Sequence, residues 1–145
     1  MKTILYVVTL VGIWSCNDNI HVYSPDRSQC FTIIHYPEFR YIVAGDIESL
    51  PDTNYVKLDI RNVIPNEEEL AGCWKNSDYD WSITIDGAKI IENKLDPAKF
   101  RFSNKLPLDS LNLPSLKSYS KGKDCYHFGF EMFSVVPNGN AIVEQ

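Results

Sequence analysis

The sequence predicts an all-β fold, a small antiparallel β sandwich or barrel with at most one or two short helical turns. Short runs of β-branched and aromatic residues alternate with turn-forming Pro, Gly, Asn and Asp, which is typical of all-β domains. Aromatic residues make up 12% of the 145 residues, and tyrosine is the commonest of them, which favours strands. An Asp86-Gly87 pair between two such runs is a strong short-range indication of a β-hairpin.

In the first half of the chain, short connections link the predicted strands. The segment Ser24-Pro25-Asp26-Arg27 is read as a turn, because proline fixes φ and the aspartate can bond its own backbone. Pro37 ends the second strand, and the short connection that follows predicts antiparallel pairing with the third. The predicted strands cover residues 20–24, 29–35, 39–44 and 55–60.

The second half repeats this pattern, with two interruptions. Residues 65–70 are read either as a single helical turn, with Asn66 as its N-cap and acidic residues favouring its start, or as a solvated run of charge. Residues 106–116 contain Pro107 and Pro114, a spacing that excludes a helix, so we predict an ordered loop packed by its leucines. The predicted strands cover residues 72–74, 81–85, 88–92, 99–103, 125–136 and 141–143.

Length and composition indicate a single domain, since about 100–150 residues is the commonest domain size. We expect a signal peptide over residues 1–15, a tether over 16–19 and one β domain over 20–145. The chain has a formal net charge of −5 and no cluster of Lys and Arg. A nucleic-acid partner is therefore not expected, because phosphate binding needs a basic patch.

The first nineteen residues have the features of a targeting segment. Lys2 supplies a positive charge, residues 4–13 are almost entirely apolar, and Ser15 and Cys16 lead into the polar residues 17–19. This order is typical of a secretory signal peptide, which is removed in the mature protein. The apolar run is shorter than the roughly 20 residues that a membrane-spanning helix needs.

The sequence Ile13-Trp14-Ser15-Cys16 resembles the lipobox of bacterial lipoproteins. In that class the leader is cut just before the cysteine, whose thiol carries a diacylglyceryl group and whose amino group is usually acylated. Each buried acyl methylene contributes about 0.8 kcal/mol, so two or more chains hold a protein stably on a bilayer. The resemblance implies lipidation at Cys16 and anchoring in a bacterial cell envelope, at the outer membrane. It does not indicate whether the protein faces the periplasm or the cell surface. The short leader and the richness in Lys, Asn, Ile and Tyr are similar to small lipoproteins of the Bacteroidota. The alternative is an ordinary secretory leader cut after Ser15.

The other cysteines, Cys30, Cys73 and Cys125, would lie in an oxidising compartment, where disulfides persist. Three thiols allow one bridge and one free thiol, and the sequence leaves all three pairings open. Each cysteine stands next to an aromatic residue, which favours buried strand positions. A three-cysteine metal site is the alternative, but the close spacing of zinc knuckles is absent from the sequence. We therefore expect no metal and no cofactor.

The most suggestive aromatic residues are Trp74, Tyr79 and Trp81. Trp81 shares a strand face with Ile83 and Ile85, so we expect it to be buried. Trp74 and Tyr79 remain as the expected binding surface for a sugar or a protein.

Two classes of function follow from these features. The preferred class is a non-enzymatic envelope lipoprotein that binds an envelope protein, a toxin to be neutralised, or a glycan. The alternative is a small hydrolase, for example one that uses paired carboxylates on glycans. The sequence contains no G-x-S-x-G motif, phosphate loop or dinucleotide motif, so no catalytic residue is assigned.

Overall fold

The computed structural model describes residues 19–64, 67–75, 79–117, 119–131, 134–135 and 140–145. Cys16 and the expected signal peptide lie outside the described residues. The elements are β1 (Ile20–Tyr23), β2 (Cys30–His35), β3 (Phe39–Ala44), β4 (Tyr55–Asp59), β5 (Glu69–Trp74), β6 (Trp81–Asp86), β7 (Lys89–Asn93), β8 (Phe100–Ser103), a 3-10 turn (Tyr119–Lys121), β9 (Cys125–Glu131), β10 (Ser134–Val135) and β11 (Ile142–Glu144).

These strands form two sheets that pack face to face. The six-stranded sheet has the order β11-β1-β2-β3-β4-β7 and the five-stranded sheet the order β10-β9-β5-β6-β8. Strand pairing is antiparallel except between β6 and β8, which run parallel. The all-β prediction is confirmed, as is the antiparallel pairing of β2 with β3, and the architecture is a sandwich.

The core lies between the sheets, because the strands of both sheets turn alternate side chains inward. Phe31 of β2 lies 5.7 Å from Trp74, 5.9 Å from Trp81 and 5.7 Å from Tyr126 of the facing sheet, measured between ring centroids. Trp81 is 1% exposed, which confirms its predicted burial. Each large apolar side chain buried in this way stabilises the fold by about 1.5–3 kcal/mol.

Gly72 of β5 permits this aromatic packing. A Cβ atom at this position would lie 2.0 Å from the Ser82 carbonyl oxygen and 2.6 Å from the Tyr126 hydroxyl. Real Cβ atoms do not approach that closely, so a side chain at Gly72 would displace the Tyr126 ring or the β6 backbone.

The hairpin predicted at Asp86-Gly87 is wrong. β6 and β7 belong to different sheets, and β7 pairs with β4 instead. Gly87, at φ +91°, makes a tight corner that carries the chain from one sheet to the other. An Asp-Gly pair sets only the local turn, and the partner of the strand that follows is decided by long-range pairing, here with β4.

Both readings of residues 65–70 are also wrong. Residues 65 and 66 lie outside the described residues, but Glu69 and Leu70 belong to β5, which rules out a helical turn over 65–70. Glu67 is exposed, whereas Glu68 is 5% exposed, so the three glutamates are not a solvated run of charge. The predicted boundary of the tether is wrong at Asn19 as well. Its side chain is 5% exposed and donates to the Glu48 carbonyl oxygen at 3.0 Å, so Asn19 belongs to the folded domain.

The loop between β8 and the 3-10 turn is ordered, but not by all of its leucines. Leu116 is 1% exposed, as predicted, whereas Leu108, Leu111 and Leu113 are 62%, 74% and 57% exposed. The prediction of leucine packing is therefore wrong for these three residues. A β-bridge between Leu108 and Pro114, rather than apolar packing, orders this part of the loop.

Candidate functional site

The cysteines show which parts of the chain are covalently joined. Cys73 and Cys125 form a disulfide between directly opposed positions of β5 and β9, and among the described cysteines Cys30 is a free thiol. The prediction of one bridge and one free thiol is confirmed. The predicted lipidation site, Cys16, lies outside the described residues.

The free thiol of Cys30 is a poor nucleophile. It is half-buried on β2, directly opposite Tyr23 of β1. Burial, and then the negative charge of Asp46, raise the pKa of Cys30 to about 12. Because the thiolate is the reactive form, this cysteine stays largely inert at neutral pH.

A polar cluster beside Cys30 joins β1 to the loop that follows β3. The His21 imidazole Nδ1 lies 2.8 Å from an Asp46 carboxylate oxygen. The Thr32 hydroxyl donates to the Gly45 carbonyl at 2.7 Å and accepts from the Ile47 N–H at 3.2 Å. Because the Thr32 hydroxyl bonds the loop backbone at both Gly45 and Ile47, the cluster holds this loop against the outer face of the six-stranded sheet.

The binding surface expected at Trp74 and Tyr79 is wrong for Trp74. Trp74 is 4% exposed, its ring lies 4.7 Å from that of Tyr126, and its indole N–H donates to the Asn140 carbonyl at 2.8 Å. Tyr79 is half-buried, and the Arg101 guanidinium lies 4.3 Å above its ring. Because Trp74 faces inward across the sandwich, the two side chains do not form a shared aromatic surface.

The exposed aromatic surface lies instead on the outer face of the six-stranded sheet. We call the set Tyr36, Phe39, Tyr41, Lys57 and Arg61 the tyrosine strip. Tyr36 is 45% exposed and Arg61 is exposed, while the other three side chains are half-buried. The strip follows the β3–β4 pairing, in which Tyr41 opposes Lys57.

A second apolar cluster supports the tyrosine strip from below. Ile34, Val43 and Tyr55 are buried on the outer side of the sheet, where Tyr41 packs against them. The ring centroid of Tyr41 lies 5.6 Å from that of Tyr36 and 5.6 Å from that of Tyr55, both in edge-to-face geometry. Such pairs are favourable beyond their buried area, so the rings are held in place.

Cations border the same rings. The Lys57 ammonium lies 4.1 Å from the Phe39 ring centroid and 5.7 Å from that of Tyr41. The Arg61 guanidinium lies 5.9 Å from the Phe39 centroid and is held by two bonds to Asp59. Those bonds lower the pKa of Asp59 to about 2. The strip is thus an aromatic surface bordered by two cations, one of which, Arg61, is paired with the Asp59 carboxylate.

A polar cleft of about 350 Å³ lies at the end of the sandwich near Trp74. The Asp26 carboxylate in it accepts from the Ser24 hydroxyl at 2.6 Å and from the Ser28 N–H and hydroxyl at 3.0 and 2.8 Å. These bonds lower the pKa of Asp26 to about 2, and the bond from Ser24 has the largest effect. The Asp26 carboxylate therefore stays ionised and holds the 24–28 turn. The lining residues are Ser24, Pro25, Asp26, Ser28, Gln29, Trp74, Lys75 and Asp124.

Sequence reasoning missed the tyrosine strip for an identifiable reason. The alternation of Phe39, Tyr41 and Val43 shows that the three share a strand face, but not whether another layer covers that face. The inward positions of β3 are taken by Ile42 and by Arg40, both buried, and this leaves the aromatic positions outward.

Among the described residues, no three His, Cys, Asp or Glu side chains lie together as a metal-binding group. No helix in the described ranges has the length and apolar character needed to cross a bilayer.

Comparison with protein-family models, with curated proteins and with solved structures finds no match for this chain.

Proposed function

We propose that this protein is a lipid-anchored binding module of a bacterial cell envelope, and that it binds a protein partner through the tyrosine strip. The observation that carries the proposal is the exposed, internally supported aromatic surface around Tyr36 and Tyr41. Aromatic surface of this kind on the outside of a monomer is typical of interaction sites.

The chemistry of the strip favours a protein partner. Tyr, Phe and Arg are enriched at protein interfaces, and energetic hot spots are richest in Trp, Tyr and Arg. Tyrosine presents a large amphipathic ring at low conformational-entropy cost. The buried cluster beneath Tyr41 lowers that cost further, because the ring is already packed before a partner arrives.

The membrane location rests on the sequence. The order Ile13-Trp14-Ser15-Cys16 resembles a lipobox, and the polar segment between Cys16 and the buried Asn19 has only two residues. Lipidation at Cys16 would therefore hold the sandwich close to the bilayer.

The test is site-specific photocrosslinking in cells that express the full chain. A photoreactive phenylalanine analogue at Tyr36 should give one dominant protein adduct, and the same analogue at exposed Lys99, before β8, serves as the control. Adding Arg61→Glu to the Tyr36 variant should abolish the adduct, because it reverses the charge at the edge of the strip. The purified adduct partner should then bind the wild-type chain at least about tenfold more tightly than Arg61→Glu.

Equal crosslinking at Tyr36 and Lys99, or an adduct that survives Arg61→Glu, would contradict the proposed contact surface. An adduct that resists protease but is removed by glycosidase would identify a glycan and overturn the choice of a protein partner. Arg61→Glu loses the two bonds to Asp59, so its circular dichroism spectrum is compared with that of the wild type, and matching spectra show that loss of the adduct is not loss of the fold.

One observation favours the second candidate, a small hydrolase. The cleft at the end of the sandwich brings Asp26 and Asp124 to its lining, and glycosidases work with two carboxyl groups. If the full chain hydrolyses chromogenic glycosides, Asp26→Asn and Asp124→Asn should each remove the activity, whereas Tyr36→Ser should not. Activity that survives both Asn variants would rule out this cleft as the active site.

A further inference from the structure

Residues 107–115, which we call the leucine loop, present three large apolar side chains to solvent. Leu108, Leu111 and Leu113 are each more than half exposed, at 62%, 74% and 57%. Their proximity within six residues sets them apart from the scattered apolar residues that any soluble protein exposes.

The loop holds these leucines in a fixed hairpin-like shape. Its base is closed by the Leu108–Pro114 bridge and by the Ser115 N–H, which donates to the Pro107 carbonyl at 2.9 Å. At the tip, Asn112 adopts φ +59°, a left-handed conformation that asparagine tolerates. Leucine exposure is therefore a property of an ordered structure.

Four backbone N–H groups of the tip, those of residues 109, 111, 112 and 113, donate to acceptors within the tip. The Asp109 carboxylate accepts from the Leu111 N–H at 2.8 Å and from the Leu113 N–H at 3.0 Å. The Asp109 N–H donates to the Leu113 carbonyl at 2.9 Å, and the Asn112 N–H donates to the Asp109 carbonyl at 3.0 Å. An unpaired N–H costs several kcal/mol in hydrocarbon, so this pairing lowers the cost of bringing the N–H groups of the tip to the headgroup boundary of a bilayer, above its hydrocarbon core.

The charge of the surrounding segment is opposite to that of the whole chain. Residues 104–124 contain four lysines and two aspartates, a net charge of +2, within a chain of net charge −5. Lys105 and Lys117 are exposed and stand two residues outside the paired Pro107 and Ser115, so they lie at the same end of the loop. Lysines that flank an apolar tip complement the headgroups of an anionic bilayer.

We propose that the leucine loop inserts at the headgroup boundary of an anionic phospholipid bilayer. Leu108, Leu111 and Leu113 enter the acyl boundary, while the lysines at its base contact the phosphates. This contact is separate from the tyrosine strip and from lipidation at Cys16, and either proposal can fail without the other.

The test places a tryptophan at the tip by Leu111→Trp in the full chain. A Trp14→Phe background leaves Trp74 and Trp81 as the native tryptophans, and both are almost fully buried. With vesicles of phosphatidylglycerol and brominated phosphatidylcholine, the new tryptophan should shift its emission to the blue. We expect brominated lipid to quench it at least about twofold more than the tryptophan of Ile91→Trp, a matched site on edge strand β7 that is 49% exposed.

Quenching by brominated lipid reports how deeply the loop enters the bilayer, not how much protein binds to the vesicles. A lipid anchor elsewhere in the chain would therefore not quench the tip tryptophan selectively. Adding Leu108→Asp and Leu113→Asp should abolish the quenching, and the unfolding midpoint of this variant should match that of the wild type.

Equal quenching at positions 111 and 91 would overturn the proposal. Equal quenching in purely zwitterionic vesicles would overturn the anionic preference. Protection of the tip tryptophan only after addition of envelope proteins would assign the loop to a protein partner instead.

Discussion

Arg40 and Glu68 form an ion pair that joins the two sheets through the interior of the sandwich. Arg40 lies on β3 of one sheet, Glu68 directly precedes β5 of the other, and both side chains are buried. Burial raises the pKa of Glu68, an effect that the positive charge of Arg40 partly offsets. The His35 ring nitrogen lies 3.4 Å from the same guanidinium. The pair therefore fixes the relative position of the sheets at the end opposite Trp74.

Loss of either partner should destabilise the fold strongly. Arg40→Met or Glu68→Leu leaves one buried group without its partner, which typically costs about 3–5 kcal/mol. The double variant Arg40→Met/Glu68→Leu removes both charges and should cost less than either single change. Urea unfolding followed by tryptophan fluorescence gives the free energy of unfolding of the two single variants and of the double variant.

The Arg27–Glu144 pair, with side chains 53% and 46% exposed, provides the control, and Arg27→Met should change the free energy of unfolding little. A double Arg40/Glu68 variant as unstable as the sum of the two singles would show that the two charges do not interact.

The Cys73–Cys125 disulfide should contribute about 4 kcal/mol, the chain-entropy value for a sequence separation of 52 residues. Cys73→Ala/Cys125→Ala should lower the free energy of unfolding by that amount and leave the sandwich folded. In denatured, unreduced protein, peptide mapping after alkylation should find label on Cys30 but not on Cys73 or Cys125. Labelling of all three before reduction would refute the bridge.

Alkaline pH should destabilise the fold through Tyr126. Complete burial raises the pKa of Tyr126 well above its ordinary value of 10.0. Above pH 10 the unfolded chain releases this proton while the folded chain keeps it, so the stabilising contribution is present below pH 10 and lost as the pH rises. Tyr126→Phe should reduce the slope of stability against pH by up to about 1.4 kcal/mol per pH unit.

These measurements use a Cys30→Ala background, because alkaline pH promotes thiol–disulfide exchange. Tyr23, whose pKa burial and Asp46 raise to about 12, contributes in the same direction and is present in both proteins. Identical slopes above pH 10 for the Tyr126→Phe protein and its parent would contradict the prediction.

Cys16→Ser should release the protein from membranes, because a serine cannot carry the thioether-linked lipid. Cell fractionation should move the variant to the soluble fraction, and labelled fatty acid should enter the wild type but not the Cys16→Ser variant. Cys30→Ala is the matched control and should remain with the membrane. A Cys16→Ser variant that stays membrane-bound, together with a wild type that takes up no label, would contradict lipidation.

The sequence by itself determined the fold class and most strand positions. Alternation along a strand has a period of two and is a local property, so the shared face of Trp81, Ile83 and Ile85 was predictable and Trp81 is buried. The single bridge among three cysteines was also predictable, though not its partners.

Only the tertiary structure decided what each local feature contacts. Trp74 is core because β5 faces Phe31, Asp86-Gly87 is a corner because β7 completes the other sheet, and the strip around Tyr41 stays open to solvent. Local periodicity states which side chains share a face. Which face is covered, and by which strand, depends on long-range packing, and that is set by the burial of the whole core.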